Sequence, residues 1–259
     1  MRTDDVNAPT QIQSGFSVVI PVFNHAETVG DVARDALQLG FPVFVVDDGS
    51  ADDSAERAGQ IEGVTLLRHD GNRGKGAAIK TGMRAASRIS RWAITLDADG
   101  QHNPLDARIL IRSIPEESRP IVVGVRQGMD AVGVHWTSRF GRKFSNFWVW
   151  AAGGHRSRDS QSGFRIYPLP ETLQLGVVAD RYQFEVEVIV KARWKKLPLV
   201  EAPVSVRYPP GERVSHFRPF VDFMRNSTTF SRLIVQRLFL PPAFRRRMIA
   251  PRDDGAAEA

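Results

Sequence analysis

A repeated alternation between short apolar runs and helix-like stretches constrains the fold of this chain more than any other feature of its sequence. Phe16–Val22 is rich in β-branched residues, and residues 27–39 carry apolar side chains at helical spacing until Gly40. Five successive units of this kind predict an α/β fold, with a mostly parallel sheet and helices on both of its faces. The four further strand-like runs are residues 42–48, 64–70, 91–99 and 120–125, followed by helix-like stretches at residues 52–59, 75–87, 104–114 and 136–151.

The part of the chain after Gly154 departs from this alternation. It predicts a strand at residues 164–168, a helix at residues 183–195 and a strand at residues 197–208, whose prolines favour the edge of the sheet. Residues 215–240 then predict a basic amphipathic helix. Its apolar residues at helical spacing are Phe220, Phe223, Met224, Phe230, Ile234 and Leu238, and three arginines spaced by seven on its polar side are Arg218, Arg225 and Arg232.

Carboxylates follow several of the predicted strands, at the sheet edge where ligands of parallel sheets bind. A buried carboxylate there must be satisfied by hydrogen bonds, by ribose hydroxyls or by a cation, and the alternative is that it caps the next helix. We favour capping for Asp52 and Asp53. Asp97 and Asp99 are followed by Gly100 and Gln101, so several oxygens lie in one turn and favour a hard cation such as Mg²⁺ or Mn²⁺. The other strand ends carry Asp47, Asp48 and Asp70.

A glycine-rich basic loop, residues 69–76, joins a predicted strand to a predicted helix. His69 occupies the place of the first glycine of a Walker A loop, and Ile79 occupies the place of the third glycine of a dinucleotide-binding loop. The loop therefore matches neither phosphate-binding pattern. A structural role and an anion contact by Arg73 or Lys75 both remain open.

Histidines and aromatic residues outside these motifs predict structural roles. His69, His135 and His155 lack the spacing of metal ligands, and we expect each to be solvated or to cap a helix. An aromatic group at near-helical spacing is expected to pack against the sheet, with contact to lipid as the alternative. Its members are Trp136, Phe140, Phe144, Phe147, Trp148 and Trp150.

Six motifs occur in the order and spacing of family 2 glycosyltransferases: VVIPVFNHAETV, VVDDGSADDS, NRGKGAAIKTG, LDADGQHNP, GVR and DSQSGFR. Over residues 16–208 the chain most resembles the branch that transfers sugars to dolichyl or polyprenyl phosphate. The resemblance implies the GT-A fold, with a Rossmann-like, nucleotide-binding sheet. It also implies inverting transfer of a sugar from a nucleoside diphosphate sugar, assisted by Mg²⁺ or Mn²⁺, to a lipid-linked or polyprenyl-phosphate acceptor.

The resemblance also implies roles for individual residues. Pro21, Phe23 and Asp48 would line the pocket for the base and ribose. Asp97, Asp99 and Gln101 would hold the metal, with Asp97 also facing the ribose and the diphosphate. Arg126 and Arg139 resemble arginines that hold an acceptor phosphate, a task that suits the bidentate guanidinium group. Lys75 and Arg207 complete the predicted substrate-binding set.

The catalytic set depends on the acceptor, which the sequence leaves open. The first strand ends in Pro21-Val-Phe-Asn-His25, where the branch has Pro-x-Tyr-Asn-Glu, and the acceptor loop lacks the branch's lysine. A phosphate acceptor needs no base, whereas a hydroxyl acceptor needs a carboxylate to remove its proton. We predict Asp159 as that base, with Glu185 second and Asp99 contributing through the metal. Glu185 and Glu187 lie about 200° apart on a helix, so at most one is expected to face the cleft.

Charge is unevenly distributed along the chain and predicts the partners. The net charge is +6, yet residues 207–248 hold nine arginines and two acidic residues, so the rest is close to neutral. A basic amphipathic segment favours peripheral contact with an anionic membrane, or packing against the body, over binding to nucleic acid. A non-catalytic, nucleotide-binding module that recruits a membrane partner is the alternative to an enzyme.

The absence of cysteine and of a long apolar run predicts a cytoplasmic protein without a membrane span. The six motifs together with the basic amphipathic C-terminal segment predict that it is peripheral at the inner face of the membrane. The predicted organisation has a disordered leader at residues 1–15 that is not a signal peptide, and a glycosyltransferase domain at residues 16–208. An acceptor loop and the basic helix follow at residues 209–248, and a disordered tail at residues 249–259.

Overall fold

The computed structural model describes residues 15–127, 136–207, 219–239 and 241, and their side chains except those of residues 136–142 and 219–228. Its strands are β1 (Phe16–Val22), β2 (Val43–Asp47), β3 (Val64–Arg68), β4 (Trp92–Thr95), β5 (Ile121–Arg126), β6 (Arg165–Pro168) and β7 (Leu199–Val204). Its helices are α1 (Val29–Leu37), α2 (Ser54–Gly59), α3 (Lys75–Ala86), α4 (Ala107–Arg112), α5 (Trp136–Gly153), α6 (Phe184–Trp194) and α7 (Pro219–Phe239). The predicted leader, except residue 15, the acceptor loop and the tail lie outside the described residues.

The seven strands form one sheet in the order β3-β2-β1-β4-β6-β5-β7. Every neighbouring pair is parallel except the two pairs made by β6, which runs antiparallel to β4 and to β5. The predicted α/β class is confirmed. β7 is an edge strand, as its prolines predict, because the missing N–H of Pro203 can be tolerated where a strand has a single neighbour.

Helices cover both faces of the sheet, as the alternating pattern predicts. Along β1, Val18 and Ile20 point into a core with α1 and α4, whereas Val19 points into the opposite core. That second core contains α3, α5, α6 and the C-terminal half of α7, through Phe230 and Leu233. Successive strand residues face opposite sides, so strands buried on both faces are apolar throughout.

The antiparallel strand β6 shapes the carboxyl edge of the sheet. Because β6 runs opposite to its neighbours, the residues before it, Gly163 and Phe164, lie at the edge where β4 and β5 end. Gly124 of β5 donates its N–H to the carbonyl of Phe164 at 2.9 Å. The segment before β6 therefore lies beside Asp97. It also lies beside the end of β5, whose last residue is Arg126.

The two long helices bear on the predicted membrane contact. Among the described helices, none combines the length and the apolar character needed to cross a bilayer. Phe144 and Trp148 of α5 pack against the core as predicted, whereas Phe147 and Trp150 are exposed. Arg139 lies in the first half of α5, and its side chain is outside the described set, as are those of Arg218 and Arg225.

Candidate active site

The turn after β4 carries the predicted metal ligands. The Asp99 Oδ1 atom accepts the N–H of Gln101 at 3.0 Å, and the carbonyl of Gln101 accepts the N–H of Arg207 at 2.8 Å. These bonds tie the turn to the chain that leaves β7. A polar cleft of about 440 Å³ borders the turn, and its lining includes Gly100, His102 and Arg207. Asp97, Asp99 and Gln101 therefore lie in one turn, as the sequence predicts, and Arg207 lies beside that turn.

Lys75 stands between two carboxylates at the start of α3. Its ammonium lies 2.6 Å from the Asp97 Oδ1 atom and 2.8 Å from the Glu185 Oε1 atom. Burial alone would lower the pKa of Lys75, but the two carboxylates outweigh it and raise this pKa above its usual value. Burial alone would raise the pKa of Asp97. Lys75 more than offsets this effect and holds the pKa of Asp97 below its usual value, so Asp97 is ionised.

Glycine at position 163 leaves room for this ion pair. A Cβ atom at Gly163 would lie 2.7 Å from the Asp97 Oδ2 atom and 2.8 Å from the Lys75 Nζ atom. Real Cβ atoms do not approach so closely, so any side chain here would displace the lysine or the carboxylate. Within the DSQSGFR motif no local feature marks Gly163, and its position beside Asp97 follows from the antiparallel strand β6.

Arg126 and Asp159 form a bidentate pair at the end of β5. The Arg126 Nε atom donates to Asp159 Oδ2 at 2.7 Å, and its Nη2 atom donates to Oδ1 at 2.9 Å. Asp159 is 0% exposed. The loop that carries Asp159 is itself fixed, because Glu201 of β7 accepts the backbone N–H and the Nε–H of Arg158, each at 2.8 Å. In this geometry the Asp159 carboxylate orients the guanidinium group.

Asp48 anchors the glycine-rich loop. Its carboxylate accepts the backbone N–H groups of Arg73 at 3.0 Å and Gly74 at 2.7 Å, and lies 2.7 Å from the His69 Nδ1 atom. His69 also contacts the Thr81 hydroxyl at 3.0 Å and is buried, so the expectation of a solvated or capping histidine is wrong. The predicted pocket residues Pro21 and Phe23 lie at and just beyond the end of the neighbouring β1.

Glu185 and Glu187 diverge as helical spacing predicts. Glu185 meets Lys75 in the site, whereas Glu187 accepts the N–H groups of Val178 and Ala179 on the opposite side of α6. Arg165 supports Glu185, because its buried guanidinium donates to the carbonyl groups of Ser160, Ser162 and Glu185 at 2.7–2.8 Å. Nothing in the local sequence distinguishes Arg165 from a surface arginine.

The residues of the Asp97–Gln101 turn fit a divalent cation. Burial and, second to it, the charge of Asp97 raise the pKa of Asp99 to about 6, because both disfavour a second negative charge in this turn. Within the described residues, no group of three or more acidic or histidine side chains forms a complete metal site. Two carboxylates in one turn suit Mg²⁺ or Mn²⁺, because these ions commonly bind one or two carboxylates and take their other ligands from water and substrate phosphates.

The family model described as Glycosyl transferase family 2 matches residues 17–169, which is more than half of the chain. The chain belongs to this family. It is a glycosyltransferase, so the alternative of a non-catalytic module is set aside. The matched range contains Asp48, Lys75, Asp97, Asp99 and Arg126, the residues that the fold gathers at one edge of the sheet.

Relatives of this glycosyltransferase include lipid-phosphate enzymes. An uncharacterised protein of Methanocaldococcus jannaschii is 34% identical over 74% of the chain and 81% of its own length. The UDP-N-acetylglucosamine–dolichyl-phosphate N-acetylglucosaminyltransferase of Methanococcus voltae is 27% identical over 74% of the chain and 85% of its own length. A dolichyl-phosphate β-glucosyltransferase of Drosophila melanogaster is 25% identical over 82% of the chain and 72% of its own length.

The fold of the glycosyltransferase is also found among solved structures. Glucosyl-3-phosphoglycerate synthase of M. tuberculosis matches with a TM-score of 0.63 and 19% identity, covering 88% of the chain and 82% of that protein. This match confirms the GT-A, Rossmann-like architecture. At this identity it supports the fold and not the substrates.

Proposed function

We propose that this glycosyltransferase transfers a sugar from a nucleoside diphosphate sugar to a polyprenyl-phosphate or related lipid-phosphate acceptor. The pairing of Asp159 with Arg126 is the observation that carries the proposal. The expected base has both oxygens engaged by one guanidinium, and Glu185 is engaged by Lys75. A phosphate acceptor is already anionic and requires no base, and an arginine held in a fixed orientation suits its recognition.

The donor would bind along the edge formed by β1, β2 and β4. Pro21 and Phe23 flank Val22, whose carbonyl accepts the N–H of Asp48 at 2.8 Å, so this part of the edge is proposed for the base and ribose. In this proposal the Asp48 carboxylate accepts the backbone N–H groups of Arg73 and Gly74, so its chief role is to fix the loop that precedes Lys75. Lys75 lies between Asp97 and Glu185, where its charge can stabilise the diphosphate of the donor.

A divalent cation is proposed at Asp97, Asp99 and Gln101. When bound, Mg²⁺ or Mn²⁺ would neutralise the charge that develops on the departing nucleoside diphosphate. The protein itself contributes positive charges that are already fixed in place beside the proposed position of the diphosphate. Lys75 is fixed by two carboxylates and Arg126 by one, so neither must reorganise as the reaction proceeds.

A comparison of two matched acceptors tests the proposed acceptor class. With a panel of nucleotide sugars and Mn²⁺, we expect the protein to glycosylate a short-chain polyprenyl phosphate. The corresponding polyprenol, which differs only in having a hydroxyl in place of the phosphate, should give at least about 100-fold less product, because both predicted bases, Asp159 and Glu185, are already paired with cations. Product is measured by mass spectrometry of the lipid fraction. Equal or faster transfer to the polyprenol would contradict the proposal and restore Asp159 or Glu185 as a base.

Peripheral membrane contact is proposed at the C-terminal ends of α5 and α7. Val235, Leu238 and Phe239 form an exposed apolar stripe on α7, and Leu238 and Phe239 are 72% and 77% exposed. Arg237 donates to the carbonyl groups of Trp150 and Ala151, which joins this end of α7 to the exposed aromatic end of α5. Apolar side chains beside arginines suit an anionic lipid surface, and location at the inner face stays a prediction.

Vesicle binding tests this surface. Leu238→Ser combined with Phe239→Ser is expected to weaken co-sedimentation with anionic vesicles by about tenfold or more, because two apolar side chains no longer enter the lipid. Ile89→Ser is the matched control, since Ile89 is an exposed apolar residue after α3. Loss of binding in both variants alike, or in neither, would contradict the proposed contact.

A further inference from the structure

A buried carboxylate outside the active site holds the segment at residues 176–182, here called the strap. Glu187 of α6 is 0% exposed, and each of its oxygens binds one strap amide and one cation. Its Oε1 atom accepts the N–H of Val178 at 3.3 Å and lies 2.8 Å from the Lys191 Nζ atom. Its Oε2 atom accepts the N–H of Ala179 at 2.9 Å and lies 2.9 Å from an Nη2 atom of Arg232.

The strap in turn lies against the first turns of α3, the helix that begins at Lys75. The N–H of Ala77 donates to the carbonyl of Asp180 at 2.9 Å, and the Lys80 ammonium donates to the Asp180 carboxylate at 2.6 Å. The two glycines that flank Lys75 have no room for a side chain. A Cβ atom at Gly74 would collide with the carbonyl oxygen of Asp180, and one at Gly76 would lie 2.9 Å from the carbonyl carbon of Asp180. The backbone on both sides of Lys75 is therefore fitted to the strap.

Arg232 connects this arrangement to the C-terminal helix. α7 is docked on the body through the buried residues Phe230 and Leu233, and Arg232 reaches from it to Glu187. The sequence placed Arg232 on the polar side of α7, among arginines suited to a lipid surface. In the structure it is 40% exposed and bound to a carboxylate of the body. A buried carboxylate is costly unless it is paired, so the guanidinium stabilises Glu187 in its contact with the strap.

We propose that Glu187 is a positioning residue for Lys75. We also propose that Glu187 binds the strap firmly only when α7 is docked, because Arg232 of α7 pairs with Glu187. The link runs from α7 through Arg232, Glu187 and the strap to the start of α3, where Lys75 lies. The role of Lys75 in donor binding rests on the proposed function, whereas the mechanical link does not. The C-terminal helix therefore serves the donor site as well as any surface that it presents to lipid.

Hydrogen exchange in the full-length chain tests the link without relying on activity. In Arg232→Gln we expect the amides of Val178, Ala179 and Ala77 to exchange about tenfold faster, since local opening of the strap becomes easier. Arg237→Gln is the matched control, because Arg237 also anchors α7 but contacts carbonyl groups of α5. Its strap amides should exchange as in the unmodified protein. Arg232→Lys, which keeps the charge, should recover part of the protection.

Kinetics with the same variants distinguishes positioning from general destabilisation. Arg232→Gln is expected to lower kcat by about tenfold with little change in the acceptor KM, because Lys75 is displaced while Arg126 is untouched. Unchanged strap exchange in Arg232→Gln, or equal acceleration in Arg237→Gln, would overturn the proposal. If exchange changes as expected but the unmodified protein transfers sugar to no lipid phosphate, the link stands and the proposed acceptor is wrong.

Discussion

Asp99→Asn is expected to lower turnover by about 10²–10³-fold, because the turn loses a negative charge where the proposed cation must bind. The substitution keeps the size of the side chain and the oxygen that accepts the N–H of Gln101. The turn should therefore stay folded while its affinity for Mn²⁺ falls. The measurement is kcat at saturating donor over a range of Mn²⁺ concentrations, together with Mn²⁺ binding by calorimetry or electron paramagnetic resonance.

Asp53→Asn is the matched control for this prediction. Asp53 is an exposed carboxylate that precedes α2 and makes no capping hydrogen bond with its side chain. The same chemical change there should leave both turnover and Mn²⁺ affinity unaltered. An Asp99→Asn protein that binds Mn²⁺ and turns over like the unmodified protein would contradict the metal assignment at this turn.

Arg126→Gln and Asp159→Asn are expected to reduce kcat/KM for the lipid phosphate, and Arg126→Gln should cost about 10²–10³-fold. Loss of Arg126 removes the proposed contact with the acceptor phosphate, whereas loss of the Asp159 charge only frees the guanidinium from its fixed orientation. Asp159→Asn should therefore have the smaller effect. A base at position 159 would instead make Asp159→Asn the more damaging change and would remove the rise of activity with pH that ionisation of a base produces.

Stability must be measured beside these rates, because breaking a buried ion pair leaves an uncompensated charge and typically costs about 3–5 kcal/mol. Asp159 is fully buried, so Arg126→Gln should lower the thermal midpoint clearly. The double variant, with Gln at 126 and Asn at 159, removes both charges and should recover part of this stability without recovering activity. Recovery of activity in the double variant would show that the guanidinium does not contact the acceptor.

Local periodicity allowed most of the fold to be predicted. The five β-then-α units correspond to β1–β5 and their following helices, and the prolines of β7 indicated an edge. The order of the strands was not accessible in this way. β6 inserts between β4 and β5 in the opposite direction, and no residue within Arg165–Pro168 encodes its choice of neighbours. Strand pairing depends on packing between segments far apart in the chain, which a local pattern does not contain.

In the candidate site too, local features were predictable from the sequence and contacts between distant segments were not. Asp97 and Asp99 were predictable because consecutive oxygens at the end of a strand are a local feature. The partners of charged residues were not: Lys75 meets Glu185, and Arg126 meets Asp159 across the fold. The same applies to His69, whose burial against Asp48 reverses the expectation of a solvated ring. A charge in a motif shows what chemistry is available, whereas its partner determines which role it can take.

By itself, the sequence determined the α/β class, the family, the acidic turn after β4 and the basic amphipathic helix, because each depends on a pattern of residues that are close together in the chain. The tertiary structure alone decided that Asp159 orients an arginine, that Gly163 makes room for the Lys75–Asp97 pair, and that Arg232 binds Glu187. These outcomes depend on which side chains are brought within a few ångströms once two cores have packed against one sheet. Burial then makes each pairing consequential, because an ion that is removed from water must find its partner in the protein.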